Sequence, residues 1–364
     1  MSSDSPIPHP ARKRVLLCVG TALLAGVLAE GVARRILPDS PDPIEMIRNP
    51  YRFRNFPEYI RAAVEVPDYA ERGIVLLGNS QAYGGEVPDI RTYSTWLERD
   101  LRREQVGGRD DWQVFNWSTD GMTTIEHTIL AAYLQQHPPA MVLCVTGFAD
   151  YRSEQAEAGF SYCRSDVPRL ATRVDVARRI PGSYWKRHFK VEDVLSAWVR
   201  ARFDLPRIAD YLWSAADQQH PGLQPLCYAP AINYHPWELH TEPRSRSMEI
   251  GTTADDRVEL TYDAASLAMF TTYLETLAEI PAPVLVVGQP SGLGGQDRNH
   301  QALADYQNDL ESLVSREAPE VMNLTRALDP GHFHDGVHFN RRGHRAFADL
   351  LYPLVSTRLE NADP

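Results

Sequence analysis

Short apolar runs alternate with amphipathic stretches of helical length in two parts of this chain, and that alternation limits the fold more than any other feature. The run Gly-Ile-Val-Leu-Leu over residues 73–77 stops at Gly78, which predicts a strand buried on both faces. Thr95 and Glu98 have the spacing of a capping box before a helix carrying Trp96, Leu97 and Leu101. Residues 112–115 predict a second strand. Thr123 and Glu126 predict the next cap, with Ile125, Ile129, Leu130 and Tyr133 on one face. Pro138 and Pro139 stop that helix, and residues 141–145 predict a third strand. The alternation breaks after residue 150 and resumes with a helix over 264–279, burying Leu267, Phe270, Leu274 and Leu277. A strand over 284–287, a helix over 299–316 with Leu303, Tyr306, Leu310 and Leu313, and a strand over 321–324 follow. The closing helix starts near Arg341, buries Ala346, Phe347, Leu350 and Leu351, and runs until Pro353. Strands and helices in this order imply an α/β fold: a three-layer αβα sandwich around a five-stranded, mainly parallel sheet. Crossovers should be right-handed, and ligands should bind beyond the carboxyl ends of the strands.

The chain has 364 residues, 43% hydrophobic and 23% charged, enough for one large or two modest domains. Its net charge of -11 argues against a nucleic-acid partner. Arg12-Lys13-Arg14 precede an apolar stretch from Val15 to Ala29. As a helix that stretch spans about 22 Å, short of a bilayer core of about 30 Å, and continuing to Ala33 gives about 28 Å. A transmembrane signal-anchor is the favoured expectation, because no clear small-x-small site precedes a polar start. A cleaved signal peptide and a buried soluble helix are the alternatives. The expected organisation is an anchor over 1–37, a linker over 38–65 and an α/β domain over 66–360 that carries an insertion at 151–260. An anchored chain of this kind places its catalytic domain outside the cytoplasm, in a periplasm or at a cell surface. Cys144 falls in a predicted strand as a free thiol, and Cys163 and Cys227 could pair in an oxidising compartment. Oligomeric state is not legible.

The chemistry-bearing residues fall after predicted strands. Near the C-terminus the chain reads Asp335-Gly336-Val337-His338. A carboxylate three residues before an imidazole on a glycine-containing loop can orient the ring and stabilise its protonated form. Ser80, in the sequence Gly78-Asn79-Ser80-Gln81, follows the first strand directly. A hydroxyl there lies at the strand's carboxyl end, although the Gly-x-Ser-x-Gly elbow is absent. A serine at a strand end is, taken alone, more often a turn or cap residue.

The combination resembles the SGNH, or GDSL-like, hydrolases, whose sheet is flavodoxin-like. Gly78–Gln81 resembles their first block, with Ser80 as the nucleophile. Asn116-Trp117-Ser118-Thr119-Asp120-Gly121 resembles the second, with Gly121 as a backbone oxyanion donor. Thr146-Gly147-Phe148-Ala149-Asp150 resembles the third, and Asp335–His338 the last, where Asp335 and His338 complete a triad. The blocks cover residues 73–150 and 264–355. Asn79 and Gln81 depart from the usual aspartate and leucine of the first block. Ala149 stands where the family has an asparagine that donates to the oxyanion, a loss of roughly 3 kcal/mol if nothing replaces it. Gln81 is the nearest substitute by sequence. Without a substitute, the site either relies on the Ser80 and Gly121 amides alone or is degenerate. The resemblance implies a serine esterase or O-acyltransferase working through an acyl-serine, without metal or cofactor. It implies an ester substrate, with O-acyl groups of surface carbohydrate as one class.

Two competing functions draw on the same residues. His332, His334, Asp335 and His338 crowd ligand-type side chains into seven residues, which could serve a metal-dependent hydrolase. A carbohydrate-binding or assembly protein that keeps the fold without the chemistry would account for Ala149. In the central region, Tyr184, Trp185, Trp198, Trp213 and Trp237 supply flat faces suited to sugar rings, although Val194, Leu195, Trp198 and Val199 also fit one core-facing helical stripe.

Overall fold

The structure, a computed structural model, describes residues 9–36, 72–84, 87, 91–118, 122, 124–147, 179, 264–291, 308, 320–334 and 338–361. Gly73–Leu77 forms β1, and every residue in it is buried. A strand apolar on both faces is stable only where both are covered. The sheet adds β2 (Gln113–Asn116), β3 (Met141–Thr146), β4 (Val284–Gly288) and β5 (Glu320–Asn323). Its order is β2-β1-β3-β4-β5, and all four pairings are parallel. The second strand starts one residue later than its pattern suggests and the fifth one residue earlier.

The described helices are α1 (His9–Ile36), α2 (Ser80–Tyr83), α3 (Tyr93–Arg103), α4 (Thr124–Gln136), α5 (Ala264–Ala278) and α6 (Arg341–Asn361). The pleat sorts α3–α6 into two layers. Ile74, Leu76 and Leu143 share one cluster with Tyr93, Leu97 and Leu101 of α3 and Phe347, Leu351 and Val355 of α6. On the opposite face Cys144 Sγ meets Tyr273 Oη of α5 at 2.9 Å, and Gln135 of α4 donates to Thr276 O of α5 at 2.8 Å. Each fully buried Leu, Val or Phe stabilises the stack by about 1.5–3 kcal/mol. Cys144 is a free buried thiol. Cys163, Cys227, the helix expected over 299–316 apart from Asn308, and the insertion expected at 151–260 apart from Arg179 lie outside the described residues.

Two helix ends differ from expectation. The cap of α3 is Thr92, whose side chain accepts from the Thr95 N–H at 3.4 Å. Glu98 reaches the sheet. It accepts the Val114 N–H of β2 at 2.9 Å and pairs with Arg102 at 3.3 Å, so a residue that reads as a cap instead ties the helix to the sheet edge. The closing helix does not end at Pro353 but runs through it to Asn361. An internal proline costs about 3 kcal/mol. Val355 and Leu359, buried beyond it, recover a comparable amount by packing.

The N-terminal helix forms, but the expected transmembrane span needs correction. Among the described residues no helix is long and apolar enough to cross a membrane. The stretch whose side chains are continuously described, 17–33, includes Thr21, Glu30 and three glycines, and measures about 26 Å against a core of about 30 Å. Leu17, Leu23, Leu24, Val27, Leu28 and Val32 stand exposed along it.

Candidate active site

The strand order fixes where a site can form. From β1 the chain goes first to β2 on one side and then to β3 on the other. The crevice beyond β1 and β3 is therefore the switch point at which α/β sheets bind ligands. Ser80 opens α2 in that crevice. Asn79 caps the turn, its Oδ1 accepting the Gln81 N–H at 3.1 Å. The cap needs only an oxygen acceptor, so an asparagine serves as an aspartate would. Gly84 closes the turn in the left-handed region, φ 76°, and donates to Ser80 O at 3.0 Å.

Other elements hold this turn from below. A Cβ on Gly78 would collide with Ala82 Cβ and sit 3.1 Å from Val145 O, so only glycine lets the turn settle on β3. Asn116, at the end of β2, donates to Ala82 O at 2.9 Å and accepts the Ser118 N–H at 3.0 Å. His127 of α4 places Nε2 3.1 Å from Gly78 O, and its ring stacks on Tyr273 at 5.5 Å. Asn116 enters the sequence reading only as the first residue of the second block, and His127 carries no signal there beyond its place one turn into a helix.

The loop that carries His338 is held by Asn340. Its Oδ1 accepts the N–H groups of Arg342 and Gly343 at 2.9 and 3.0 Å, capping α6. Its Nδ2 donates to Gly331 O at 2.8 Å and Phe333 O at 3.3 Å. Phe333 bridges Phe339 antiparallel, and His334 N donates to His338 O at 2.7 Å. The loop is thereby closed at its neck, with His338 at its returning end. A Cβ on Gly343 would collide with His332 O, so the glycine lets the helix start against the loop.

These two segments meet. His338 Nε2 lies 3.0 Å from Ser80 Oγ, a contact between residues 258 apart in sequence. Both side chains are half-buried, so an incoming group can reach them. With the imidazole proton on Nδ1, Nε2 accepts from the hydroxyl, the geometry required for general-base activation.

His344, on α6, wedges between the segments. Its Nδ1 accepts the Tyr93 N–H at 3.2 Å, which assigns the ring proton to Nε2. The ring stacks on Tyr93 at 5.8 Å and meets Phe339 edge-on at 5.5 Å. A Cβ on Gly84 would come within 3.1 Å of it. Burial, and secondarily the positive form of His338, push its pKa down from 6.5 to about 3. It packs as a neutral ring and adds no charge beside His338.

Gln81 is buried and donates from Nε2 to Pro290 O at 3.1 Å. That donor is directed to the loop after β4. Gly121, Asp335 and Ala149 lie outside the described residues. His332 places Nδ1 3.2 Å from Asp329 O. Among the described residues no group of three or more His, Cys, Asp or Glu could hold a metal ion.

No family model and no curated protein match this chain. Among solved structures it is similar to LAE5, an alpha/beta hydrolase enzyme from the metagenome of Lake Arreo, Spain. Identity is 11% and the TM-score 0.35, with 80% of this chain and 98% of that chain covered. A TM-score that low does not establish a shared overall fold, so functional reading rests on the geometry of the site.

Proposed function

We propose that the protein is a serine-dependent acyl-transfer enzyme of the SGNH type, an esterase or O-acyltransferase. The observation that carries the reading is the 3.0 Å contact of Ser80 Oγ with His338 Nε2 at the switch point of the sheet. His338 takes the Ser80 proton as Oγ attacks an ester carbonyl, and later returns it to the leaving alkoxide. Asp335, three residues before His338, fixes the imidazole tautomer and balances its charge. Ser80 opens its helical turn, so its backbone N–H has no intrahelical acceptor and is available to the oxyanion. The Gly121 N–H is the second donor. Water, or an alcohol such as a sugar hydroxyl, then takes the acyl group from serine. The aromatic and basic side chains of residues 151–260 support acylated carbohydrate as the substrate class.

Two measurements test this. Ser80→Ala should abolish turnover of short-chain aryl esters by the purified full-length protein, and a fluorophosphonate should label wild type at Ser80. Turnover by Ser80→Ala equal to wild type rejects the nucleophile.

A further inference from the structure

Ala149 carries no side-chain oxyanion donor, and Gln81 directs one Nε2 N–H to Pro290 O. Another carboxamide occupies the rim of the sheet. Gln289 follows β4, and its backbone N–H extends the β3–β4 ladder by donating to Thr146 O at 2.9 Å. Leu77 of β1, Cys144 of β3 and Val286 of β4 are at one level of the sheet. Three residues further along each segment come Ser80, Gly147 and Gln289, all just past the carboxyl ends of their strands.

The middle residue of that row has no side chain, and Gln289 uses the space. A Cβ on Gly147 would collide with Gln289 Nε2 and lie 3.0 Å from Asn79 Nδ2. The Gln289 carboxamide therefore lies across the end of β3 toward the residue that precedes Ser80. It is 5% exposed, and its Oε1 is buried without a hydrogen-bond partner among the described residues. A buried carboxamide with an unmet end is destabilising, and an apolar side chain would fill the same space at less cost. The other end, Nε2, carries the N–H groups and lies over Gly147 on the side of Asn79, the residue that precedes Ser80.

We propose that Gln289 is the side-chain oxyanion donor of this site. The assignment rests on the serine-ester reading and deepens it. As the bond from Ser80 Oγ to the carbonyl carbon forms, the carbonyl π pair moves onto oxygen and the hydroxyl proton passes to His338. The Gln289 N–H donates a hydrogen bond to that oxygen and transfers nothing. Because the charge develops only in the transition state, the bond lowers the barrier more than it tightens substrate binding.

The test compares wild type, Ser80→Ala, Gln289→Leu and Gln289→Glu as full-length proteins on a short-chain aryl ester. Thermal unfolding identifies variants that have lost the fold. Gln289→Leu should lower kcat by roughly 100- to 1000-fold with KM within about 3-fold. Gln289→Glu keeps the shape but sets a carboxylate against the oxyanion. Its rate relative to wild type should rise as pH falls and the acid becomes a donor, an effect that a packing role alone does not produce. Wild-type kcat in Gln289→Leu, where Ser80→Ala is inactive, overturns the Gln289 assignment alone. So does a pH-independent ratio for Gln289→Glu if the Leu variant does not fold. Absence of ester turnover in wild type, or full turnover in Ser80→Ala, overturns the serine reading and this assignment together.

Discussion

Asn340 performs two tasks that a pair of substitutions can separate. Its Oδ1 caps α6 through two backbone N–H groups, and its Nδ2 holds the neck of the His338 loop through Gly331 O and Phe333 O. Loss of a cap of this kind costs about 1 kcal/mol, up to about 2. Each Nδ2 bond contributes about 0.5–1.5 kcal/mol net, and the half-exposed position favours the lower end. Asn340→Ala should therefore destabilise by about 2–3 kcal/mol. Asn340→Asp keeps the acceptor, gains slightly from a carboxylate at the helix N-terminus, and loses both donors. It should destabilise by about 1 kcal/mol.

The two variants should diverge in another way. His338 must meet Ser80 within hydrogen-bond reach, and a displacement of about 1 Å can cost about 100-fold in rate. Asn340→Asp leaves the helix capped but loosens the loop, so kcat should fall about 10-fold or more while KM changes little. Urea unfolding with linear extrapolation gives the stability difference, and ester kinetics well below the midpoint give the rate. Wild-type stability and wild-type kcat in Asn340→Asp would refute the claim that the Nδ2 bonds position the base.

Gly78→Ala should cost about 1–3 kcal/mol and most of the ester turnover, because the new methyl meets Ala82 and Val145 O under the nucleophile turn; a variant as stable and active as wild type contradicts that packing. His344 titrates near 6.5 when unfolded and near 3 when folded, so between those values the unfolded chain binds a proton that the native one does not. Its contribution is complete above about pH 6.5 and is lost as pH falls, by up to about 1.4 kcal/mol per unit. His344→Asn should flatten the slope of stability between pH 4 and 6, and an unchanged slope means another group governs the acid limb.

The sheet was legible because a strand covered on both faces must be apolar throughout, and β1, β3 and β4 each satisfy that within a few residues. Helix ends were less legible, because their capping residues have more than one use. Glu98 has the spacing of a capping box yet accepts the Val114 N–H at the sheet edge. Pro353 reads as a stop, but a stop requires that nothing beyond it be worth burying, and Val355 and Leu359 are both buried. Ser80 and His338 were legible as types of residue at types of position. Their 3.0 Å approach depends on α6 packing against α3 and on the loop neck at Asn340, which no local pattern encodes.

The rim of the sheet brings together residues that spacing along the chain does not. A motif fixes the distance along the chain between a strand and the residue that follows it. A parallel sheet fixes which residues of different strands stand level. Ala149 stands after β3 where the resembled family carries an amide, and Gln81 is the nearest carboxamide by sequence. Yet Gln81 holds the loop that leaves β4, and the residue before its acceptor, Gln289, reaches back over Gly147 toward Asn79. The reach exists because Gly147 has no Cβ. A glycine after β3 and a glutamine after β4 therefore form one geometric unit, and a Gly147→Ala change would have to displace the same carboxamide that Gln289→Leu removes.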